Sequence, residues 1–186
     1  SGIVHAVGYT RGSFGEARQH TDKDLAFVQY STDGAIKYQE SSGAKAADDV
    51  ATSITQSRRT GHLLIAGASH GRYWRGQPGF LLLEYDHAGN YNPLIPELMG
   101  LNLGGFMSNS STYVEGRSFD GATYILGSSD EGREGALLFR VVEGNTQWSV
   151  PLRAQDVEIS ASDIVVDHNS LPVVLTTRYV SHRDPS

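Results

Sequence analysis

Short apolar runs closed by turn residues recur along the whole chain, and no useful stretch keeps a helical period. Ile3-Val4-His5-Ala6-Val7-Gly8-Tyr9-Thr10 returns as Leu63-Leu64-Ile65-Ala66-Gly67-Ala68-Ser69 and again as Thr123-Tyr124-Ile125-Leu126-Gly127-Ser128-Ser129. Gly8, Gly67 and Gly127 are thus 59 and 60 residues apart. A second run, Leu25 to Gly34, returns as Phe80 to Gly89 and as Ala136 to Gly144, with the closing glycines 55 residues apart each time. Two markers holding nearly one period indicate a tandem structural repeat. The difference between the periods falls in a connection of variable length.

Each marker is rich in Val, Ile, Leu, Tyr and Phe and ends in residues such as Thr-Asp-Gly or His-Ala-Gly, which predicts strands joined as hairpins. A more alternating stretch follows the second marker at Ala35 to Tyr38, Asn90 to Asn92 and Asn145 to Val150, as expected of an outer strand wetted on one face. Runs with many small residues precede the first marker at Val50 to Ile54, Ser111 to Glu115 and Ile159 to Val166. They close in turns near Gly61, Gly121 and Asn169 and suit the crowded centre of a radial array.

The predicted unit has four antiparallel strands, inner to outer, in roughly 50 to 60 residues, the size of a β-propeller blade. The fold expected is therefore all-β. Units fall roughly at residues 1–49, 50–110, 111–156 and 157–186, and the first lacks its inner strand while the last has only its inner two. Thirteen strands make about three and a quarter blades, an incomplete ring. Such a ring exposes two apolar blade faces and a sheet edge, which the rest of a longer polypeptide, another chain or further copies of this one are expected to cover. The alternative is a twisted sandwich of similar strands.

Composition narrows the chemistry. The chain carries 15 Lys and Arg against 21 Asp and Glu, a net charge of −6, which opposes attraction to nucleic acid or anionic lipid. Cys is absent, so disulfides, thiolate nucleophiles and Cys-ligated metals are excluded together. No apolar run approaches the ~18 residues of a membrane span. The sequence opens Ser1-Gly2-Ile3 with no Met or signal-like segment, as in a processed or excised chain.

The pattern Val4-His5-Ala6-Val7-Gly8-Tyr9-Thr10, then Asp24-Leu25-Ala26-Phe27-Val28-Gln29-Tyr30 with Asp33-Gly34, then Asp48-Asp49-Val50-Ala51-Thr52-Ser53-Ile54, resembles the β-propeller repeat family known as SBBP repeats. The likeness spans most of Ile3 to Thr177. It is best in the first unit, fair over Leu64 to Gly89, and weaker in the third, where Val141 replaces the Tyr of the other two. The inserts Ser41 to Asp48 and Pro93 to Ser110 depart from it. The resemblance implies a propeller, often within large extracellular or cell-surface proteins, and brings no catalytic motif with it. An organelle lumen is the alternative setting.

Function on such a scaffold is expected on its loops. The richest is His70-Gly71-Arg72-Tyr73-Trp74-Arg75-Gly76-Gln77-Pro78, where Arg72, Tyr73, Trp74 and Arg75 have the composition of a contact hot spot. The equal alternative is that Trp74 packs on its own blade. The equivalent loop of the first unit, Arg11 to His20, offers Arg11 and Phe14 as a diluted version. The apolar insert Pro93 to Met107 fits either a plug on the core or a docking surface. The seven His residues form no HExxH or clustered ligand spacing. Asp86-His87 and Asp167-His168 fit turn positions, a cation held by Asp163 and Asp167 lacks any run of alternating acids, and Asn109-Ser110-Ser111 is a glycosylation triplet.

These features favour a non-catalytic structural or protein-interaction module without metal or cofactor. The partner expected is protein, with a glycan at the Trp74 loop as a further possibility. The rivals are a hydrolase or lyase with an axial site assembled from several blades and a carbohydrate-binding module using Trp74.

Overall fold

A computed structural model of the chain describes residues 2–12, 14, 19–42, 48–69, 79–86, 90–93, 112–116, 118–128, 136–143, 145–152 and 158–179. The described residues form thirteen strands and no helix: β1 (Ile3–Gly12), β2 (Gln19–Ser31), β3 (Ile36–Ser42), β4 (Asp49–Gln56), β5 (Leu63–Ser69), β6 (Gly79–Tyr85), β7 (Tyr91–Pro93), β8 (Thr112–Glu115), β9 (Thr123–Ser128), β10 (Ala136–Val142), β11 (Asn145–Leu152), β12 (Glu158–Val166) and β13 (Pro172–Tyr179). They make four antiparallel sheets in chain order, β1-β2-β3, β4-β5-β6-β7, β8-β9-β10-β11 and β12-β13.

Turn chemistry explains why the hairpins close where they do. Between β2 and β3, Asp33 accepts hydrogen bonds from the Ser31 hydroxyl and from the Ala35 amide at 3.2 Å, while Gly34 supplies a φ of +86°. The turns from β4 to β5, β8 to β9 and β12 to β13 share one plan, with a left-handed residue just ahead of the second strand. That residue is Gly61 at φ +73°, Gly121 at +75° and Ser170 at +64°. Only glycine enters this region without steric cost, so Ser170 is the strained member. Its hydroxyl accepts from the Phe119 amide at 2.8 Å, and its carbonyl accepts from the Tyr124 hydroxyl at 3.0 Å.

Alternation along the strands decides which sheet each residue faces. Ile65, Leu81, Leu83 and Tyr85 of the second sheet meet Leu25 and Phe27 of the first. Leu64, Ala66 and Leu82 point the other way and meet Val114, Ile125, Phe139 and Val141 of the third. Tyr124, Leu126 and Leu138 of the third sheet in turn meet Ala161 and Ile164 of the last. The inner sheets are therefore apolar on both faces, which is why Leu64-Ile65-Ala66 is an unbroken apolar run and not an alternating one. Polar links follow the same order. Ser53 accepts from the Val114 amide at 3.2 Å, buried Glu115 accepts from the Thr55 hydroxyl at 3.1 Å, and the Arg58 amide donates to the Gly116 carbonyl at 2.8 Å.

β4 crosses from Ala51 to Ser53 opposite consecutive residues of β5, leaving Thr52 as a bulge. At that place β4 runs tightly against Gly67, where an added Cβ would lie 1.9 Å from the Val50 carbonyl oxygen and 2.8 Å from Ala51 Cα. Gly8, the first-sheet counterpart, has nothing within 4 Å of the same position, because no strand precedes β1 in its sheet. In the last hairpin, which has a bulge at Ser162, Thr176 takes this place opposite Ala161.

The strands fall near the positions expected from the repeat, with some differences at their ends. β1 continues through a register irregularity to Gly12, held by the Thr10 hydroxyl donating to the Gly12 carbonyl at 2.9 Å, so Arg11 sits on a strand and not in the following loop. β3 runs on to Ser42, so Ser41 and Ser42 belong to the sheet rather than to the insert expected from Ser41. β2 begins at Gln19, so Gln19 and His20 sit on a strand and not in the loop expected from Arg11 to His20. Among the described residues, no strand pairing joins the last sheet to the first.

Candidate interaction surfaces

Among the described residues, the two outermost sheet faces carry exposed apolar side chains. The pairs Val4 with Tyr30 and Ala6 with Val28 share the face of the first sheet opposite Leu25 and Phe27. Aligned through Gly8 and Gly67 and their pairing partners, Ala6, Val28 and Tyr30 are the counterparts of Ile65, Leu83 and Tyr85. The three counterparts are buried in the core, whereas Ala6 is exposed and Val28 and Tyr30 are half-buried. The last hairpin shows the same relation on its far side. Val173 and Leu175 follow Ser170 as Leu64 and Ala66 follow Gly61, and as Tyr124 and Leu126 follow Gly121. Val173 is 53% and Leu175 61% exposed, while Leu64 is 3% and Ala66 0% exposed. Val165 extends this patch opposite Val173.

The loop residues singled out from the sequence divide. Arg72, Tyr73, Trp74 and Arg75 lie outside the described residues, as do the apolar insert beyond Pro93 and the glycosylation triplet. Arg11 is exposed at the end of β1, and Phe14 is half-buried in the turn after it. Asp167 and His168 occupy a hairpin turn, with Asp167 accepting from the Asn169 and Leu171 amides at 2.8 Å each.

Sequence reasoning missed a row of buried polar groups at the strand ends of the first two sheets. Asp24, Ser42, Asp49 and Ser69 are all buried, with Asp49 paired across from Ser69 and Ser42 across from Leu25. All four are engaged in further polar or electrostatic contacts. Beside them, Asp48 accepts from the Lys23 amide at 2.8 Å and lies 3.9 Å from the Lys23 ammonium. The visible signal was an aspartate directly ahead of each apolar run, in Asp24-Leu25 and Asp49-Val50.

At the opposite end, a cavity of about 130 Å³ opens between the second and third sheets. Leu64, Leu82, Ile125 and Val141 form its floor, and Arg59, Glu84 and Glu143 stand at its mouth. Glu84 is engaged by His62 at 3.1 Å, and Glu143 by Arg59 at 3.6 Å. Among the described residues, no group of three or more His, Cys, Asp or Glu is placed to hold a metal ion, and no helix is long and apolar enough to cross a membrane.

The displaced titrations belong to turns and strand surfaces. The Ser118 hydroxyl, then the Arg140 guanidinium at 2.7 Å, pull Asp120 down to about 2. Asp33 is lowered chiefly by the Ser31 hydroxyl, and Asp167 chiefly by the Leu171 amide. A hydrogen bond to Glu40 pushes Tyr38 up to about 12, and burial lowers His5.

A pH dependence follows from Asp120. Its folded pKa lies below the unfolded value of about 3.9, so its contribution is complete above pH 4 and is lost as pH falls toward 2. Solvent screening of this half-exposed carboxylate limits the contribution to about 1 kcal/mol. Urea midpoints measured from pH 5 to pH 2 should fall less steeply in Asp120→Asn than in the native chain.

Comparison with known proteins gives no family and no curated protein that matches the chain.

Proposed function

We propose that the chain is a non-catalytic, propeller-type interaction module of the SBBP kind, whose stack of sheets is completed by polypeptide packed on its two outer faces. The reading rests on one observation: positions that are core in the inner sheets, occupied by Leu64, Ala66, Ile65 and Tyr85, are held among the described residues by exposed Val173, Leu175 and Ala6 and by half-buried Tyr30. Half-exposed aliphatic side chains such as Val173 and Leu175 would each gain about 1 kcal/mol on full burial. An apolar patch of this origin favours docking over chemistry. An extracellular or cell-surface setting accompanies the family resemblance, and Arg72, Tyr73, Trp74 and Arg75 are further candidate contacts.

The test is photo-crosslinking within the native assembly, with the reactive group placed at Leu175, at Val4, or at Val150 on β11 as an exposed control. Polypeptide adducts at the first two sites and none at the third are expected. A lack of adducts at both Leu175 and Val4 sinks the reading.

A further inference from the structure

We infer that the free edge of β1 is a receiving site for one extended strand of a partner polypeptide, with the small and β-branched character of Asp49–Gln56. The inference deepens the proposed function and rests on it. Three observations meet at this edge.

The second and third sheets and the last hairpin each begin with a strand that pairs antiparallel with the next, β4 with β5, β8 with β9 and β12 with β13. The first sheet begins instead with β1, the counterpart of β5, which among the described residues pairs only with β2. One strand position is therefore open beside β1, and a row of backbone donors and acceptors lies along it.

Gly8 supplies the second observation. At Gly67 the absence of a side chain is needed, because the bulged backbone of β4 at Val50 and Ala51 fills the space a Cβ would take. Gly8 keeps the residue while, among the described residues, no atom lies within 4 Å of where its Cβ would be. A backbone passing β1 as β4 passes β5 would fit against Gly8 without displacement, and glycine is the residue expected where another backbone comes close.

The third observation is the surface of β1. Ile3 and Val4 are each 55% exposed and Tyr9 is 54% exposed, so the strand carries apolar residues on both of its faces up to its unpaired edge. Strand addition satisfies the edge with main-chain hydrogen bonds and selects the incoming side chains through alternate pockets. The occupant suited to Gly8 is a strand with small residues at its centre, as in Val50-Ala51-Thr52-Ser53.

The test adds a synthetic peptide of residues 48–56 to the full chain and follows amide hydrogen exchange in β1, β3 and β13. The peptide is expected to slow exchange of β1 amides at least 10-fold at saturation, with a scrambled peptide of the same composition inactive and β3 and β13 unchanged. Gly8→Val should keep the fold and weaken peptide binding at least 10-fold, and Gly8→Ala should weaken it less. The proposal is overturned by unchanged β1 exchange, by equal protection from the scrambled peptide, by protection confined to β3 or β13, or by undiminished binding to both Gly8 variants. Crosslinks at Leu175 alongside a failed peptide assay would remove this strand site and leave the proposed function standing.

Discussion

Gly67→Ala should leave the chain largely unfolded at temperatures where the native protein is stable. The new methyl would overlap the Val50 carbonyl oxygen at 1.9 Å and crowd Ala51 Cα at 2.8 Å, and both are backbone atoms that no rotamer change can move. Relief requires β4 to separate from β5. That movement disturbs two interfaces at once, since Ala51 packs with the first-sheet core and Ser53 is bonded to Val114 of the third sheet. Overpacking of a core by side chains costs about 1–3 kcal/mol, and a clash with backbone should cost about 3 kcal/mol or more. Gly8→Ala is the matched control, with open space at the same repeat position and an expected change within about 0.5 kcal/mol. Thermal unfolding followed by circular dichroism separates the two, and similar midpoints for both variants would show that the close approach at Gly67 is absent.

Phe27→Ala is expected to cost about 3–5 kcal/mol, the range for removing a buried phenylalanine. The ring is 1% exposed and lies between the first two sheets, with ring centres of Tyr85 at 4.9 Å, Tyr38 at 5.9 Å and His5 at 6.1 Å. No neighbouring strand is free to collapse into the space, because β2 is paired on both sides. Phe119 provides the contrast, being 62% exposed beneath the Arg58 guanidinium at 3.6 Å. Phe119→Ala should cost about 0.5–1 kcal/mol. Denaturant midpoints that place the two variants together would contradict the buried position of Phe27.

Much of this architecture was legible because it depends on local rules repeated at a fixed spacing. The glycines at 8, 67 and 127 and the turn residues after Tyr30 and Tyr85 locate the hairpins, and the unbroken Leu64-Ile65-Ala66 run fits a strand covered on both sides. The strand count also anticipated that the outer faces would lack cover. Less legible were features set by the meeting of distant segments. Nothing in Asp24-Leu25 or Asp49-Val50 declares that both carboxylates are buried, since that follows from how the first two sheets abut. Arg11 was expected in a loop because an irregular register continues β1 past the apparent end of its pattern. In the turn between β10 and β11, Glu143 takes the left-handed conformation, at φ +51°. The Trp74 loop remains a sequence-derived candidate for contact.

Because, among the described residues, each sheet is buttressed by the ones before and after it in the chain, stability should be graded along the stack rather than shared evenly. The β12–β13 hairpin has one supporting neighbour, while β5 and β9 lie between two. Fraying should therefore begin at the extremities and travel inward, with the β5–β6 and β9–β10 ladders the last to open.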